Sequence, residues 1–130
     1  MYKNIMDKNI IIYDLDINKK VKLYDYYLKT RSVKTFSTYN NILKEINRRS
    51  YDILIIELFR LEDDVNVFID NVKKVSSNID IVLVSTTKEK ELEKSLKQKI
   101  NMYIQRPVIP KDVLYELNNY YNLNSENLIL

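Results

Sequence analysis

The feature that most constrains the fold is a short, unbroken apolar run near the middle of the chain. Residues 53–56 read ILII, with Asp52 before the run and Glu57 after it. A short, β-branched run that is apolar on both faces is typical of a strand in the middle of a parallel sheet, because helices cover such a strand on both sides. Glu57 then lies at the carboxyl end of the central strand, the edge where open α/β sheets place their ligand sites. The alternative is that Glu57 merely ends the strand and faces water.

Four further short apolar runs occur, at residues 9–14, 32–36, 79–84 and 101–105. Apolar residues recur at helical spacing between and after these runs, at about residues 18–30, 38–46, 65–72, 86–99 and 110–121. Five such alternations predict a parallel sheet with helices on both faces. Right-handed crossovers, with the two strongest strands at the centre, favour the strand order 2-1-3-4-5. The predicted fold class is therefore α/β, a flavodoxin-like, doubly wound (βα)5 sheet.

Local signals indicate where two of the helices begin. Ser37 or Thr38 is expected to cap the second helix, because either hydroxyl can accept a hydrogen bond from a first-turn N–H. Thr86 with Glu89 has the spacing of a capping box, which predicts a helix from there to about Lys99. The third and fifth helices are predicted to bury Val65, Phe68, Ile69, Val72, Val113, Leu114, Leu117 and Tyr121.

The composition excludes several kinds of chemistry. The chain has no Cys and no His, which excludes thiol chemistry, imidazole acid–base catalysis and metal sites built from those residues. It also has no Gly, so the glycine-rich loops that bind nucleotide phosphates are absent. With no phosphate loop and no nucleophile–base pair in view, we expect a protein that is not an enzyme.

Charge and length bear on partners, location and domain limits. The net charge is +3 and the basic residues are scattered, so a nucleic-acid surface is not indicated. No apolar run approaches the length of a membrane span and no signal peptide opens the chain, which favours a cytoplasmic protein without a membrane partner. We expect one domain over residues 1–121. Residues 122–130 are expected to begin a linker to an output domain, because an apolar Leu128, Ile129 and Leu130 terminus is unusual for a complete protein.

Polar residues follow the predicted strands in a recognisable order. Asp14 and Asp16 follow the first, Glu57 the third and Ser85 the fourth, and Tyr103 lies in the fifth, just before Arg106 and Pro107. Over about residues 8–121 this pattern resembles response-regulator receiver domains, which are CheY-like. In that family an acidic pair binds magnesium and an Asp accepts phosphate. A Ser or Thr and a Lys before a Pro then contact the phosphoryl group.

The resemblance implies a role for each of these residues. Glu57 stands at the phosphoacceptor position, and Asp14 begins an acidic pair that Leu15 interrupts, with Asp16 as its substitute. Ser85 supplies the pocket hydroxyl, and Arg106 stands in place of the Lys. Tyr103 corresponds to the switch aromatic, and Pro107 to a proline that follows a cis peptide bond. Structural alternatives stay open: Asp14 and Asp16 as a helix cap and a solvated acid, Ser85 as a helix cap, and Tyr103 as edge packing.

The departures from the family pattern bear on function. Glu is one methylene longer than Asp, so its oxygen overshoots the position needed for in-line attack. Arg is bulkier than Lys and always charged, and magnesium loses a carboxylate at Leu15. We therefore expect no cofactor and doubtful magnesium binding, with Asp14, Asp16 and Glu57 as the remaining metal-ligand candidates. Glu57 and Arg106, at the ends of neighbouring strands, are expected to pair directly or through water in the place of metal and phosphoryl group.

These expectations combine into a hypothesis of a degenerate receiver, or pseudo-receiver. It would regulate and dimerise an atypical response regulator of a two-component system, which controls transcription through a C-terminal output domain. DNA would be contacted only through that separate domain, and a sensor kinase or another protein is a further expected partner. The homodimer is expected to use the stretches from Lys88 to Lys99, from Asn101 to Gln105 and from Lys111 to Tyr121, because alternating Lys and Glu can pair with a symmetric copy. A solvated helix on a monomer is the alternative. Two other functions stay open: a phosphoaccepting receiver in a phosphorelay, and a stand-alone protein-binding adaptor.

Overall fold

The computed structural model describes residues 8–15, 33–107 and 110–129, with the backbone alone at residue 110 and residues 122–129. The helix predicted at residues 18–30, and with it Asp16, lies outside the described residues. The described strands are β1 (Ile10–Asp14), β2 (Lys34–Phe36), β3 (Ile53–Glu57), β4 (Asp80–Ser85) and β5 (Met102–Gln105). The described helices are α1 (Tyr39–Arg48), α2 (Val65–Val75), α3 (Lys94–Lys97) and α4 (Pro110–Ile129), with a 3₁₀ turn at Glu89–Glu91.

The five strands form one parallel sheet in the order β2-β1-β3-β4-β5. This confirms the predicted fold class and strand order. Every residue of β3 is buried, as its apolar run requires for a central strand. In the register, Asp14 of β1 lies beside Glu57 of β3, and Ser85 of β4 lies beside Gln105 of β5. The carboxyl ends of these strands therefore meet at one edge of the sheet.

The core consists of two apolar layers, one on each face of the sheet. On one face, Ile11 and Tyr13 pack with the buried sides of α1 and α2. On the other face, Ile10 and Ile12 pack with α4. This separation follows from the period-two alternation of side chains along a strand. The predicted buried faces of α2 and α4 are confirmed, since all eight of their predicted residues are buried.

The beginning of α1 agrees with one of its two predicted caps. The Thr38 Oγ1 atom accepts a hydrogen bond from the Asn41 N–H at 3.1 Å. It thereby satisfies one of the N–H groups that a first helical turn leaves without an intrahelical partner.

The prediction of a continuous helix over residues 86–99 is wrong. The structure contains only the 3₁₀ turn and the single turn α3, with extended backbone at Leu92 and Glu93 between them. The Thr86 hydroxyl donates to the Phe59 carbonyl at 2.5 Å and caps neither segment. The charge pattern explains the failure, because alternation of Lys and Glu puts like charges at i and i+4, as at Glu89 and Glu93, which destabilises a helix.

Helix α4 is longer than predicted. Its backbone continues to Ile129, through residues where the sequence indicated the start of a linker. Within the described part of the chain, none of the helices combines the length and the hydrophobicity that a membrane span needs.

A buried carboxylate joins the end of α1 to the start of the central strand. Glu45 is 6% exposed. Its Oε2 atom accepts a hydrogen bond from the Tyr51 hydroxyl at 2.6 Å, and its Oε1 atom accepts one from Arg48 Nη2 at 2.7 Å. These two donors, the Tyr51 hydroxyl first, hold the pKa of Glu45 below its ordinary value. Burial, with the bond to Glu45, raises the pKa of Tyr51 to about 12.

We expect Tyr51→Phe to lower the free energy of unfolding at pH 7 by about 1.5–3 kcal/mol, because a buried carboxylate loses a donor. The folded pKa of Glu45 is depressed, so this contribution is fully present above the unfolded pKa of about 4.3 and is lost as the pH falls through the lower folded value. Urea unfolding at a series of pH values measures both effects. The matched variant Tyr115→Phe, at a residue 63% exposed, should change stability by less than about 0.5 kcal/mol. Equal losses in the two variants would contradict the assignment.

Candidate functional site

The carboxyl edge of the sheet brings together most of the residues that the sequence singled out. Asp14 and Glu57 end adjacent strands and lie side by side in the register. They are 4% and 5% exposed, and Ser85 at the end of β4 is fully buried. Arg106 follows β5 directly and turns its side chain toward this edge. Asp16, the expected substitute in the acidic pair, lies outside the described residues.

Glu57 and Arg106 form an ion pair across the end of the sheet. The Arg106 Nη1 atom lies 3.8 Å from Glu57 Oε2, and the two side chains are 20% and 4% exposed. The expectation of neighbouring strands is wrong, because β4 separates β3 from β5. Two strand spacings amount to about 10 Å, so the pair forms only because both side chains are long.

The backbone around Arg106 is held in place by β4. The Arg106 N–H donates to the Ser85 carbonyl at 2.7 Å. The peptide bond between Arg106 and Pro107 is cis, as the resemblance implies. The main chain from which the Arg106 side chain extends is therefore held by a residue of the pocket itself.

The charges explain why the arginine is needed. At about 4 Å and an effective dielectric constant of about 20, two unit charges attract by roughly 4 kcal/mol. Removing each charge from water costs several kcal/mol, so the pair contributes little net stability. The loss of one partner is costly, however, because Glu57 would remain as a buried carboxylate without its cation.

Tyr103 points inward and bonds to the pocket hydroxyl. Its OH lies 2.5 Å from Ser85 Oγ, and it donates to the Thr87 carbonyl, with the Ser85 carbonyl at 3.4 Å. A tyrosine has only one hydroxyl proton, and Tyr103 donates it to the Thr87 carbonyl. In the hydrogen bond between Tyr103 and Ser85, the Ser85 hydroxyl is therefore the donor. The Thr87 N–H in turn donates to Ser85 Oγ at 3.2 Å. Burial raises the pKa of Tyr103 above its ordinary value.

The described residues of this edge do not by themselves form a magnesium site. Magnesium requires nearly octahedral oxygen ligation, and within residues 8–15, 33–107 and 110–129 no three acidic side chains are close enough to hold a metal ion. A guanidinium already lies 3.8 Å from the carboxylate oxygen of Glu57. The edge can therefore hold a buried carboxylate and orient a tyrosine, but it presents Arg106 where the resemblance would require a metal and a phosphoryl group.

Three aromatic rings pack together beside this edge, and the sequence did not predict this contact, although it placed Tyr39 and Phe68 on the buried faces of their helices. Tyr39 stacks on Phe68 with ring centroids 4.0 Å apart, and Tyr13 lies 4.5 Å from Tyr39. Burial and the nearby charges of Glu62 and Asp64 raise the pKa of Tyr13 to about 12. The period-two pattern of β1 could have placed Tyr13 on this face. The Thr87 carbonyl was also missed, because a main-chain acceptor leaves no mark in a sequence.

Comparisons with known proteins are informative only at the level of structure. No protein-family model matches the chain, and no curated protein sequence matches it either. Among solved structures, a CheY-like receiver domain protein of Methanospirillum hungatei is 19% identical, with a TM-score of 0.72 over 92% of this chain and 98% of that one.

Two further solved structures are similar to the same degree. An orphan response regulator of H. pylori is 13% identical, with a TM-score of 0.69 over 86% of this chain and 94% of that one. A putative pilus assembly-related protein of Burkholderia pseudomallei is 16% identical, with a TM-score of 0.69 over 92% of each chain. At such identities the likeness shows the fold alone: this chain has the fold of a response-regulator receiver domain.

We expect Arg106→Ala to lower the free energy of unfolding by about 3–5 kcal/mol, because it leaves the Glu57 carboxylate buried without its cation. Glu57→Gln should cost less, since Arg106 is the more exposed partner and can turn toward water. The double variant should cost clearly less than the sum, by more than about 0.5 kcal/mol. Urea unfolding of the four proteins measures this coupling. The exposed Arg49 gives the control: Arg49→Ala combined with Glu57→Gln should be additive. Additive losses for Arg106 would show that the pair is not coupled.

Proposed function

We propose that this chain is a regulatory, receiver-type signalling domain that acts through protein contacts and not through phosphorylation of Glu57. The receiver fold supports the regulatory role. The observation that carries the rest is the ion pair between Glu57 and Arg106, which stand where the resemblance puts the phosphoacceptor Asp and the Lys. Both charges of this pair belong to the chain itself, so the state of the pocket does not depend on a modification.

The geometry works against phosphoryl transfer at two points. Attack by a carboxylate requires its oxygen in line with the donor, and the extra methylene of Glu57 displaces that oxygen. The donor also brings negative charge that a metal ion normally neutralises, whereas the cation in this pocket is already engaged with Glu57. Arg106 also stays charged, because an arginine guanidinium does not lose its proton in proteins. It therefore remains in the pocket as the cation paired with Glu57. These arguments place the phosphoaccepting receiver second among the candidate functions.

The orientation of Tyr103 supports a single fixed state. In receivers that this chain resembles, phosphorylation biases the switch aromatic between inward and outward positions. Here the tyrosine is inward and bonded to Ser85 and Thr87 without any phosphoryl group. We infer that the face formed by β5 and the neighbouring helices is presented to partners constitutively. Control of transcription through an output domain, and contact with a sensor kinase, stay predictions.

We expect incubation with acetyl phosphate and magnesium to leave the intact mass of the protein unchanged, because Glu57 is displaced and Arg106 occupies the pocket. Intact-mass spectrometry checks this directly. The contrasting variant combines Leu15→Asp, Glu57→Asp and Arg106→Lys, and it should gain one phosphoryl group. Stoichiometric phosphorylation of the unmodified protein within this pocket would overturn the proposal.

The surface proposed for the homodimer, around residues 88–99, differs in one respect from the sequence-based expectation. Leu92 and Leu96 are 6% and 4% exposed and pack into the chain's own core. The segment is therefore attached to the core and not free to form an apolar contact with a partner through these two leucines. What remains for a partner is charge on the exposed side chains from Lys88 to Lys99, together with Tyr115 of α4, which is 63% exposed. A two-fold axis through this surface can place lysines against glutamates.

We expect the protein to sediment as a dimer at micromolar concentration and to dissociate as the salt concentration rises, because exposed charge pairs are screened. Lys90→Glu with Lys94→Glu should shift the protein to monomer. The matched reversal Lys44→Glu with Arg49→Glu, at exposed residues in and just after α1, should leave the dimer intact. A monomer at every concentration and salt, or a dimer that the first reversal leaves unchanged, would exclude this face.

A further inference from the structure

A groove lies between the loop that leads into α2 and the segment that holds the 3₁₀ turn and α3. Its volume is about 200 Å³. Its apolar lining comes from Leu61, Val65 and Leu96, of which Val65 and Leu96 are part of the buried core. We call it the acid-rimmed groove, for the carboxylates described below. It shares no lining residue with the pocket of Glu57 and Arg106, although Glu91 and Glu93 also belong to the proposed dimer face.

The two walls of the groove are held together by side-chain bonds. The Lys99 Nζ atom lies 2.8 Å from Asp70 Oδ1 and donates to Asn66 Oδ1 at 2.6 Å. The Asn66 Nδ2 atom donates to Ser95 Oγ at 3.5 Å. These contacts tie α2 to the segment around α3, so the groove is formed before any partner arrives, as is usual for binding sites.

The rim of the groove is acidic, although the chain carries a net charge of +3. Four carboxylates line it, from both walls: Glu62, Asp63, Glu91 and Glu93. None of the four takes part in the ion pairs that the described residues form with one another. Burial, followed by the charge of Asp64, raises the pKa of Glu62. A cation in the groove would offset the negative charge of the four rim carboxylates.

The size and spacing of the groove decide which cation fits. The carboxylates are too dispersed for a metal ion, since no three acidic side chains in the described ranges are close enough to hold one. The volume of about 200 Å³ is also below the roughly 300–1,000 Å³ of small-molecule sites. A single long side chain suits it better, with its aliphatic stem on the apolar floor and its charged head at the rim.

Arginine fits this description more closely than lysine. Its planar guanidinium carries five N–H donors and can reach carboxylates on two walls at once, whereas an ammonium is a compact point charge. We propose that the acid-rimmed groove is a docking site for an arginine side chain presented by a partner protein.

The test is a nuclear magnetic resonance titration with the capped pentapeptide Ac-Ala-Ala-Arg-Ala-Ala-NH2. Chemical-shift changes are expected at residues 61–66 and 91–96, with millimolar affinity that weakens as salt is added. The same peptide with citrulline, which is neutral and of the same shape, should bind at least several-fold more weakly. Glu91→Gln with Glu93→Gln should weaken the arginine peptide to a similar extent. The matched pair Asp112→Asn with Glu116→Gln, at exposed residues of α4, should leave its affinity unchanged.

Several results would overturn the proposal. Equal binding of the citrulline peptide would show that charge does not drive recognition. Shifts outside the groove, no shifts at tens of millimolar peptide, or an unchanged affinity in the Glu91 and Glu93 variant would each remove the site. If magnesium chloride shifted the same amide signals with a higher affinity than the arginine peptide, the groove would be a cation site. Because the two pockets share no residue, none of these results depends on whether Glu57 is phosphorylated.

Discussion

The burial of one negative charge is the constraint on which the carboxyl edge of this sheet depends. Glu57 ends the central strand, with neighbouring strands on both sides and packed helices on both faces, and it is only 5% exposed. An isolated carboxylate in that position would cost several kcal/mol. Among the described residues, the cation that pairs with Glu57 reaches across β4 from the far strand. Arg106 does so, with its Nη1 atom 3.8 Å from Glu57 Oε2.

The same edge links the ion pair to the orientation of the tyrosine through Ser85. The Ser85 carbonyl accepts the Arg106 N–H, which fixes the backbone from which the guanidinium extends. The Ser85 hydroxyl forms a hydrogen bond with the Tyr103 hydroxyl, which itself donates to the Thr87 carbonyl. One buried serine at the end of β4 thus positions both the cation and the aromatic ring. A displacement of this strand end would disturb the two together, which is how a change at one could be felt at the other.

The sequence predicts what depends on local pattern and fails where remote segments meet. The run at residues 53–56 is short, β-branched and apolar, which favours a covered strand, and the buried faces of α2 and α4 follow from spacing. The helix predicted over residues 86–99 does not form, because like charges at i and i+4 disfavour it, and Leu92 and Leu96 reach the core from two short turns instead. To predict the distance between Glu57 and Arg106, the strand order and the lengths of both side chains had to be considered together. The acid-rimmed groove is built from two segments that are far apart in the sequence, and neither segment alone shows a pattern that predicts it.

A pair of permanent charges has consequences for how such a domain could carry information. In a phosphorylated receiver, a group is added and removed, and the two states differ in charge at the pocket. Under the proposed function, both members of the pair, Glu57 and Arg106, belong to the chain itself, so no group is added to the pocket or removed from it. A change of state then requires a ligand that binds one conformation better than another, and its effect is limited to that difference in affinity. Under the proposed function, the information would therefore enter at a surface where partners bind, and the buried pair would hold the fold that presents this surface.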